Sequence, residues 1–288
     1  MSRAAKRNSR VLVTGAAGLL GRHVVAALTG LWGVDVIAAS RSTLPHQGIQ
    51  VRDYAQCPPA DFIVHLAEEP GRTNVNRQGE TYLESSAATV CALRDLAGAM
   101  LIYASSGVIY GDQGTEPYDV GSPTFVVDTY SQSKVANEAL VLAAGGCVLR
   151  FSNLIGVGMS SQNVLSDILS QVPGEGPLTV RDTAPVRDYL PIMDAACAVM
   201  HAIQSAQLGI FNVGSGIGTS VMSLASGVLK HAGEATRQVM SSATSIELSN
   251  SYNVLDISRT SAELGWSPKI TLQHELAELL RKKIEVYS

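Results

Sequence analysis

Short apolar runs along this chain alternate with stretches whose apolar residues recur every three or four positions. The runs are Val11–Val13, Val34–Ala39, Gln47–Arg52, Asp61–Leu66, Met100–Ala104 and Cys147–Phe151. Each has the length of a buried strand, and Gln47–Arg52 is the weakest. Between them, Val24, Val25 and Leu28 fall at helical spacing, Tyr82–Leu96 mixes alanines with leucines at helical intervals, and Ser131–Ala144 reads as a helix. Strand-then-helix alternation predicts a doubly wound α/β fold. A parallel sheet has helices on both faces, joined by right-handed crossovers. Ligands of such a sheet sit outside the carboxyl ends of its strands.

After Phe151 the rhythm changes. Residues 153–177 are rich in glycine and proline, with one helix expected at Asn163–Val172. Further helices are expected at Asp194–Gln204, Ser220–His231 and Leu272–Val286, and Gly209–Val213 reads as a strand that rejoins the sheet. Ser241–Ser251 is polar and serine-rich, and is expected to loop across the surface. The expected organisation is a frayed tail over 1–9, a dinucleotide-binding domain over 10–153 to which 192–215 returns, and a smaller C-terminal substrate-binding lobe made of 154–191 and 216–288.

Composition narrows the class. The chain has 288 residues, 46% of them hydrophobic and 16% charged, enough for one large core with an attached lobe. A net charge of −4 gives no electrostatic reason to expect nucleic acid. The basic, polar first ten residues lack the apolar segment of a secretory signal. No apolar run reaches the roughly 18 residues that a membrane span needs. Cys57, Cys91, Cys147 and Cys197 are far apart with no C-x-x-C. A structural metal is therefore not expected, and a reduced cytoplasmic setting is.

Two groups of residues suggest chemistry. Gly15, Gly18 and Gly21 follow the first strand and open a helix. A turn of that kind aims backbone N–H groups and the positive end of a helix dipole at one point, which suits a pyrophosphate. Its spacing is G-x-x-G-x-x-G rather than the G-x-G-x-x-G fingerprint of the Rossmann dinucleotide fold. Tyr130 and Lys134 are four apart on one helical face. A phenol ionises near pH 10, and a neighbouring ammonium favours the phenolate, so Tyr130 is a candidate proton donor or acceptor. Ser106 follows the fifth strand, at the carboxyl edge, where its hydroxyl can bond the same substrate oxygen.

Taken together, these pieces resemble the extended short-chain dehydrogenase/reductase family, in its NAD(P)-dependent nucleotide-sugar epimerase/dehydratase branch. The resemblance runs from Val11 to about Leu280. It rests on Thr14–Gly21, His65-Leu66-Ala67, Tyr103–Gly111, Tyr130-x-x-x-Lys134, Leu149–Asn153, Arg187–Asp194, Asn212–Gly216 and Leu264–Pro268, in that order. It implies a Rossmann fold in which Ser106, Tyr130 and Lys134 are catalytic and Lys134 holds a ribose. It places the dinucleotide on Gly15, Ala17, Gly18, Leu19 and Leu20, on Leu66 and Ala67, and on Asp53 as an adenine contact. It places the substrate on Ser106, with Asn153 and Arg187 at the diphosphate of a nucleotide sugar. The plainer alternatives are an ion pair of Arg187 with Asp188 or Asp194, and a loop role for Asn153 in bonding its own backbone.

Where many NAD-preferring relatives carry an acidic residue after the second strand, this chain has Ser40 and then Arg41. No carboxylate there repels a 2′-phosphate and Arg41 can pair with one, so NADP is expected, with NAD as the alternative. The expected function is reduction of a 4-keto nucleotide sugar. A C4 epimerase that retains its cofactor, a reductase of a non-sugar carbonyl and a non-catalytic NADP-binding redox sensor are the alternatives. Family members often dimerise through two helices, so a homodimer is an open expectation.

The chain also departs from the family pattern. Gly107 and Val108 stand where dehydratases carry Asp-Glu, which argues against sugar dehydration. Tyr82–Ser86 replaces the "NVxGT" piece, so its asparagine is missing. Glu68 and Glu69 follow His65-Leu66-Ala67, where relatives often have small or neutral residues. Both are expected to be solvent-facing loop charges, with binding of substrate hydroxyls as the alternative.

Overall fold

In the strand β1 (Ser9–Thr14), residues 11–14 are all buried. Val11 and Val13 pack on one face of a sheet and Leu12 on the other, as the two-residue period of a strand requires. A strand buried on both faces is a continuous apolar run rather than an alternating one. The computed structural model describes residues 8–44, 48–96, 99–243 and 251–287.

The first half alternates as the pattern predicts. β1 is followed by α1 (Leu19–Thr29), β2 (Val34–Ser40), β3 (Ile49–Gln50), β4 (Phe62–His65), α2 (Arg72–Gln78), α3 (Glu80–Arg94), β5 (Met100–Ser106), α4 (Thr129–Ala143) and β6 (Cys147–Phe151). The second half consists of β7 (Asn153–Ile155), α5 (Val164–Ser170), β8 (Leu178–Val180), β9 (Val186–Pro191), α6 (Ile192–Ser205) and β10 (Gly209–Val213). It continues with β11 (Gly218–Ser220), α7 (Val221–His231), β12 (Val239–Ser241), β13 (Tyr252–Asn253), α8 (Ser258–Leu264) and α9 (Leu272–Tyr287).

Seven strands form one sheet in the order β10-β6-β5-β4-β1-β2-β3, and every neighbouring pair is parallel. This is the doubly wound Rossmann arrangement. The chain reverses direction of growth at β1, between β2 and β4, the kind of switch point at which ligands of open α/β sheets bind in a crevice. Val24 and Leu28 of α1, with Ala195, Val199 and Ala202 of α6, cover one face. Val90 and Leu93 of α3, with Val141 of α4, cover the other. β10 pairs with β6 from Gly209 against Cys147 to Val213 against Phe151, so this late segment does rejoin the sheet.

A second core lies beyond the sheet. Leu165, Ile168, Leu178 and Tyr189 pack against Leu224 and Val228 of α7 and Leu276 and Leu279 of α9. Its strands are two to six residues long. The expected surface loop at 241–251 is only partly described: Ser241 belongs to β12, paired with β8, and 244–250 lie outside the described residues. The expected tail also ends early, since Ser9 pairs with Val34 and Asn8 donates to Asp35 at 2.9 Å. Residues 1–7 lie outside the described residues.

Several sequence pieces serve the frame. The Asp188 carboxylate accepts from the N–H groups of Ser215 and Gly216 and from the Ser215 hydroxyl, tying β9 to the end of β10. Asp194 accepts from the N–H groups of Lys269 and Ile270, and the buried Trp266 indole donates to the Asp194 carbonyl. Those bonds use both aspartates, so neither pairs with Arg187.

Candidate active site

The glycine turn is built against the end of β4. Gly15 has φ +69°, in the left-handed region, and a Cβ there would lie 2.7 Å from the Leu66 carbonyl carbon. A Cβ on Gly21 would lie 2.1 Å from the Gly15 carbonyl oxygen, so the first turn of α1 rests directly on the loop. The helix is capped by Gly18 with no side-chain bond to its first N–H groups. Those donors are available to an anionic ligand at the positive end of the helix. Gly15, Ala17, Gly18, Leu19, Leu20, Leu66 and Ala67 therefore border one cradle, which fits a pyrophosphate.

At the outer end of the crevice, Ser40 is buried and its Oγ accepts from Ser42 N at 3.0 Å. The Arg41 guanidinium lies 5.8 Å from the Tyr54 ring centre. A cavity of about 490 Å³ is lined by Arg41, Gln50, Val51 and Arg52. Its lining includes two arginines and no acidic residue among the described residues. Asp53 caps the turn that follows, its Oδ1 accepting from Ala55 N at 2.9 Å.

The inner end is made by β5 and α4. Ser106 is the last residue of β5 and its Oγ accepts from Val108 N at 3.3 Å. Tyr130 and Lys134 lie in the first two turns of α4, which begins two residues before the predicted Ser131. Asp128 caps that helix in a capping box with Ser131. Asp128 is further held by Arg72 and by Asn76 Nδ2 at 2.9 Å, and Asn76 Oδ1 accepts from Tyr130 N at 3.0 Å. Burial pushes the Asp128 carboxyl up, but the Ser131 N–H, Arg72, Asn76 and the Ser131 hydroxyl outweigh it and hold it well below the usual range.

Lys134 reaches across to β5. Its Nζ donates to the Ala104 carbonyl at 2.9 Å, two residues before Ser106, and lies 5.8 Å from the Tyr130 ring centre. Lys134 thus links Tyr130 to the carboxyl end of β5, the strand on which Ser106 is the last residue.

A profile of the NAD dependent epimerase/dehydratase family matches residues 11–214. The chain belongs to that family. It is 24% identical to the dTDP-4-dehydro-6-deoxyglucose reductase of Escherichia coli, over 96% of this chain and 98% of that one. It is 23% identical to the UDP-glucose 4-epimerase of Dictyostelium discoideum, over 90% and 91%. Among solved structures, MoeE5 in complex with UDP-glucose and NAD superposes with a TM-score of 0.81 at 24% identity, covering 97% of this chain and 100% of that one. RMD from Pseudomonas aeruginosa complexed with NADPH gives 0.80 at 22%, covering 95% and 98%. These likenesses agree with the fold, and the family makes this an NAD(P)-dependent enzyme of the short-chain dehydrogenase/reductase type.

Against the family pattern, the structure corrects one expectation sharply. Glu68 is not a solvent-facing loop charge, since its side chain is only 8% exposed. Oε2 lies 3.7 Å from Lys134 Nζ and accepts from the Tyr82 hydroxyl at 2.9 Å. Oε1 accepts from Ser86 Oγ at 2.8 Å and from Asn137 Nδ2 at 3.3 Å. Burial pushes this carboxyl up, yet the Lys134 charge, with His65 and the Ser86 hydroxyl, holds it well below the usual carboxylate range. Glu69 is also not fully exposed, and its Oε1 accepts from Gly71 N at 2.9 Å.

The two substrate candidates sit on neighbouring strands. Asn153 on β7 donates to the Asp188 carbonyl on β9 at 3.0 Å, so it does not bond its own loop. Arg187 on β9 donates to Val186 O at 2.9 Å, Ser251 O at 3.0 Å and Ser251 Oγ at 2.5 Å. Its carboxylate neighbour is Asp112, at 3.8 Å, rather than Asp188 or Asp194.

Sequence reasoning missed Arg72, Asn76 and Asp128, which fix the start of the Tyr130 helix. Asp128 had a readable signal, an acidic N-cap three residues before a serine. Arg72 and Asn76 had none, since α2 buries only Val75.

Proposed function

We propose that this enzyme reduces the 4-keto group of a nucleotide-linked sugar with NADPH. The observation that carries the reading is the tether of Lys134 to the Ala104 carbonyl, which sets the Tyr130 helix against the strand that ends in Ser106. A nicotinamide cofactor, when bound, supplies the hydride chemistry. Tyr130 then donates a proton to the carbonyl oxygen and the Ser106 hydroxyl hydrogen-bonds the same oxygen, steadying the charge that develops there. Lys134 holds the ribose and orients Tyr130. Asn153 and Arg187 hold the diphosphate, a planar guanidinium being suited to two phosphate oxygens at once. Arg187 exchanges its present bonds to Ser251 for the ligand.

The cavity lined by Arg41 and Arg52 supports NADP over NAD, since two guanidinium groups attract a 2′-phosphate and no carboxylate in the lining repels it. The four cysteines are free, which agrees with the reducing cytoplasm as the working compartment. Both relatives named above are enzymes and all three catalytic candidates are present, so the non-catalytic sensor reading is set aside.

A C4 epimerase is the second reading, favoured by the likeness to a UDP-glucose 4-epimerase. The two differ in net cofactor turnover. The test of the diphosphate role is the affinity of Arg187→Ala for dTDP. A loss of about ten-fold or more supports a nucleotide-sugar substrate, and an unchanged affinity supports a carbonyl substrate without a diphosphate.

A further inference from the structure

Two departures from the family pattern meet in space. Glu68 stands where relatives often carry a small or neutral residue, and Tyr82 stands where the family's asparagine is missing. The Tyr82 hydroxyl donates to Glu68 Oε2 at 2.9 Å, and the same oxygen faces Lys134 Nζ at 3.7 Å. A buried carboxylate with three hydrogen-bond donors and one ammionium-bearing neighbour is a built arrangement, because an unpaired charge there would be strongly destabilising.

We infer that Glu68, held in place by Tyr82, is a positioning residue that fixes the Lys134 ammonium and offsets the charge it presents to Tyr130. This rests on the reading of Tyr130 as the proton donor. The groups in contact with Glu68 come from three elements: His65 from β4, at 3.5 Å through Nε2, Tyr82 and Ser86 from α3, and Lys134 and Asn137 from α4. Tyr103 lies beyond Asn137 and Lys134, Tyr130 lies beyond Lys134, and Arg41 and Glu69 line the same cavity as Glu68. Lys134 is the lysine that Glu68 meets, at 3.7 Å, and Glu68 is the carboxylate that answers its charge. A lone ammonium beside a phenol favours the phenolate, whereas an ammonium paired with a carboxylate favours it much less. A proton donor must stay protonated at working pH. The pair therefore keeps the lysine able to orient Tyr130 without stripping its proton, which suits carbonyl reduction.

The test is an ultraviolet titration of the Tyr130 phenol in the cofactor-free protein, taken as the difference between each protein and its Tyr130→Phe counterpart. Glu68→Gln keeps the shape and removes the charge. It moves the midpoint to lower pH by about one pH unit, and Glu68→Asp moves it by less. Tyr82→Phe removes the bond that steers Glu68 and moves the midpoint in the same direction by a smaller amount. This second variant decides the matter if Glu68→Gln does not fold. Midpoints unchanged in whichever of these variants fold would overturn the inference. NADPH oxidation with dTDP-4-dehydro-6-deoxyglucose separates this failure from that of the underlying reading. If Tyr130→Phe turns over like the wild type, the proton-donor assignment has failed and the inference goes with it. If Tyr130→Phe is inactive and the midpoints do not move, only the role of Glu68 has failed.

Discussion

Arg150 and Glu138 face each other fork to fork inside the protein, with Nε to Oε1 at 3.0 Å and Nη2 to Oε2 at 2.6 Å. Both side chains are 5% exposed. The pair joins β6 to α4, and Ser105 Oγ donates to the same Glu138 at 2.5 Å. The helix that carries Tyr130 and Lys134 is therefore locked to the strand that ends in Ser106. Arg150 also donates to the Tyr110 hydroxyl at 2.7 Å, which in turn donates to Asn212. Removing one partner of a buried ion pair leaves the other charge unanswered. Glu138→Gln is expected to cost about 3–5 kcal/mol of stability, read by denaturant unfolding. A loss below about 1 kcal/mol would mean the pair contributes little to the frame.

Acid should weaken the fold through two carboxylates. Glu68 and Asp128 are both held below their ordinary values in the folded chain. A group depressed in this way contributes stability that is fully present above its unfolded value, near pH 4, and is lost as pH falls toward the folded value. Unfolding free energy should therefore drop steeply below about pH 4, and the slope should be shallower in Asp128→Asn. Equal slopes in the two proteins would remove Asp128 from the account.

The glycine turn has no room for a side chain at Gly15. Gly15→Ala adds a Cβ at positive φ and within 2.7–2.8 Å of the Leu66–Ala67 backbone. The expected result is loss of the thermal stabilisation by NADP, together with about 1–3 kcal/mol of fold stability. A normal NADP shift in this variant would contradict the cradle.

Cofactor choice is testable at the two arginines of the outer cavity. Arg41→Ala is expected to weaken NADP binding about ten-fold or more while leaving NAD nearly unchanged. Arg52→Ala should do the same to a lesser degree. Equal losses for both dinucleotides would place the arginines away from the 2′-phosphate.

Most of the sheet was readable because its inner strands β1, β4, β5 and β6 are largely buried on both faces and so appear as apolar runs, whereas the edge strand β3 is two residues long with Gln50 exposed. Cys147–Phe151 was found with its observed bounds, and Gly209–Val213 was recognised as a late return. The short strands of the second core were missed. Strands of two or three residues such as β8 and β13 exist through their partners, Val239–Ser241 and Val186–Arg187, which no local pattern encodes. α2 was missed for a related reason: Arg-Thr-Asn-Val-Asn-Arg-Gln has no apolar stripe, and its value lies in Arg72 and Asn76 reaching Asp128.

Glu68 shows the same limit at the site. Two adjacent glutamates after a strand read as a solvated loop. Burial of the first arises from residues 82, 86, 134 and 137, which only the folded chain brings together. Ser106, Tyr130 and Lys134 were singled out by residue type and spacing, and the structure shows Lys134 bonded to the strand that ends in Ser106. What the spacing could not contain is that Lys134 meets a carboxylate before it meets any ligand.

The most direct measurement is the stoichiometry of NADPH consumption with dTDP-4-dehydro-6-deoxyglucose, by wild type and by Tyr130→Phe. One NADPH should be oxidised for each reduced sugar nucleotide formed, and the rate should be lower by about 10²–10⁴-fold in Tyr130→Phe. Interconversion of UDP-glucose and its 4-epimer with no net NADPH consumption on any 4-keto sugar nucleotide, or full turnover by Tyr130→Phe, would contradict this.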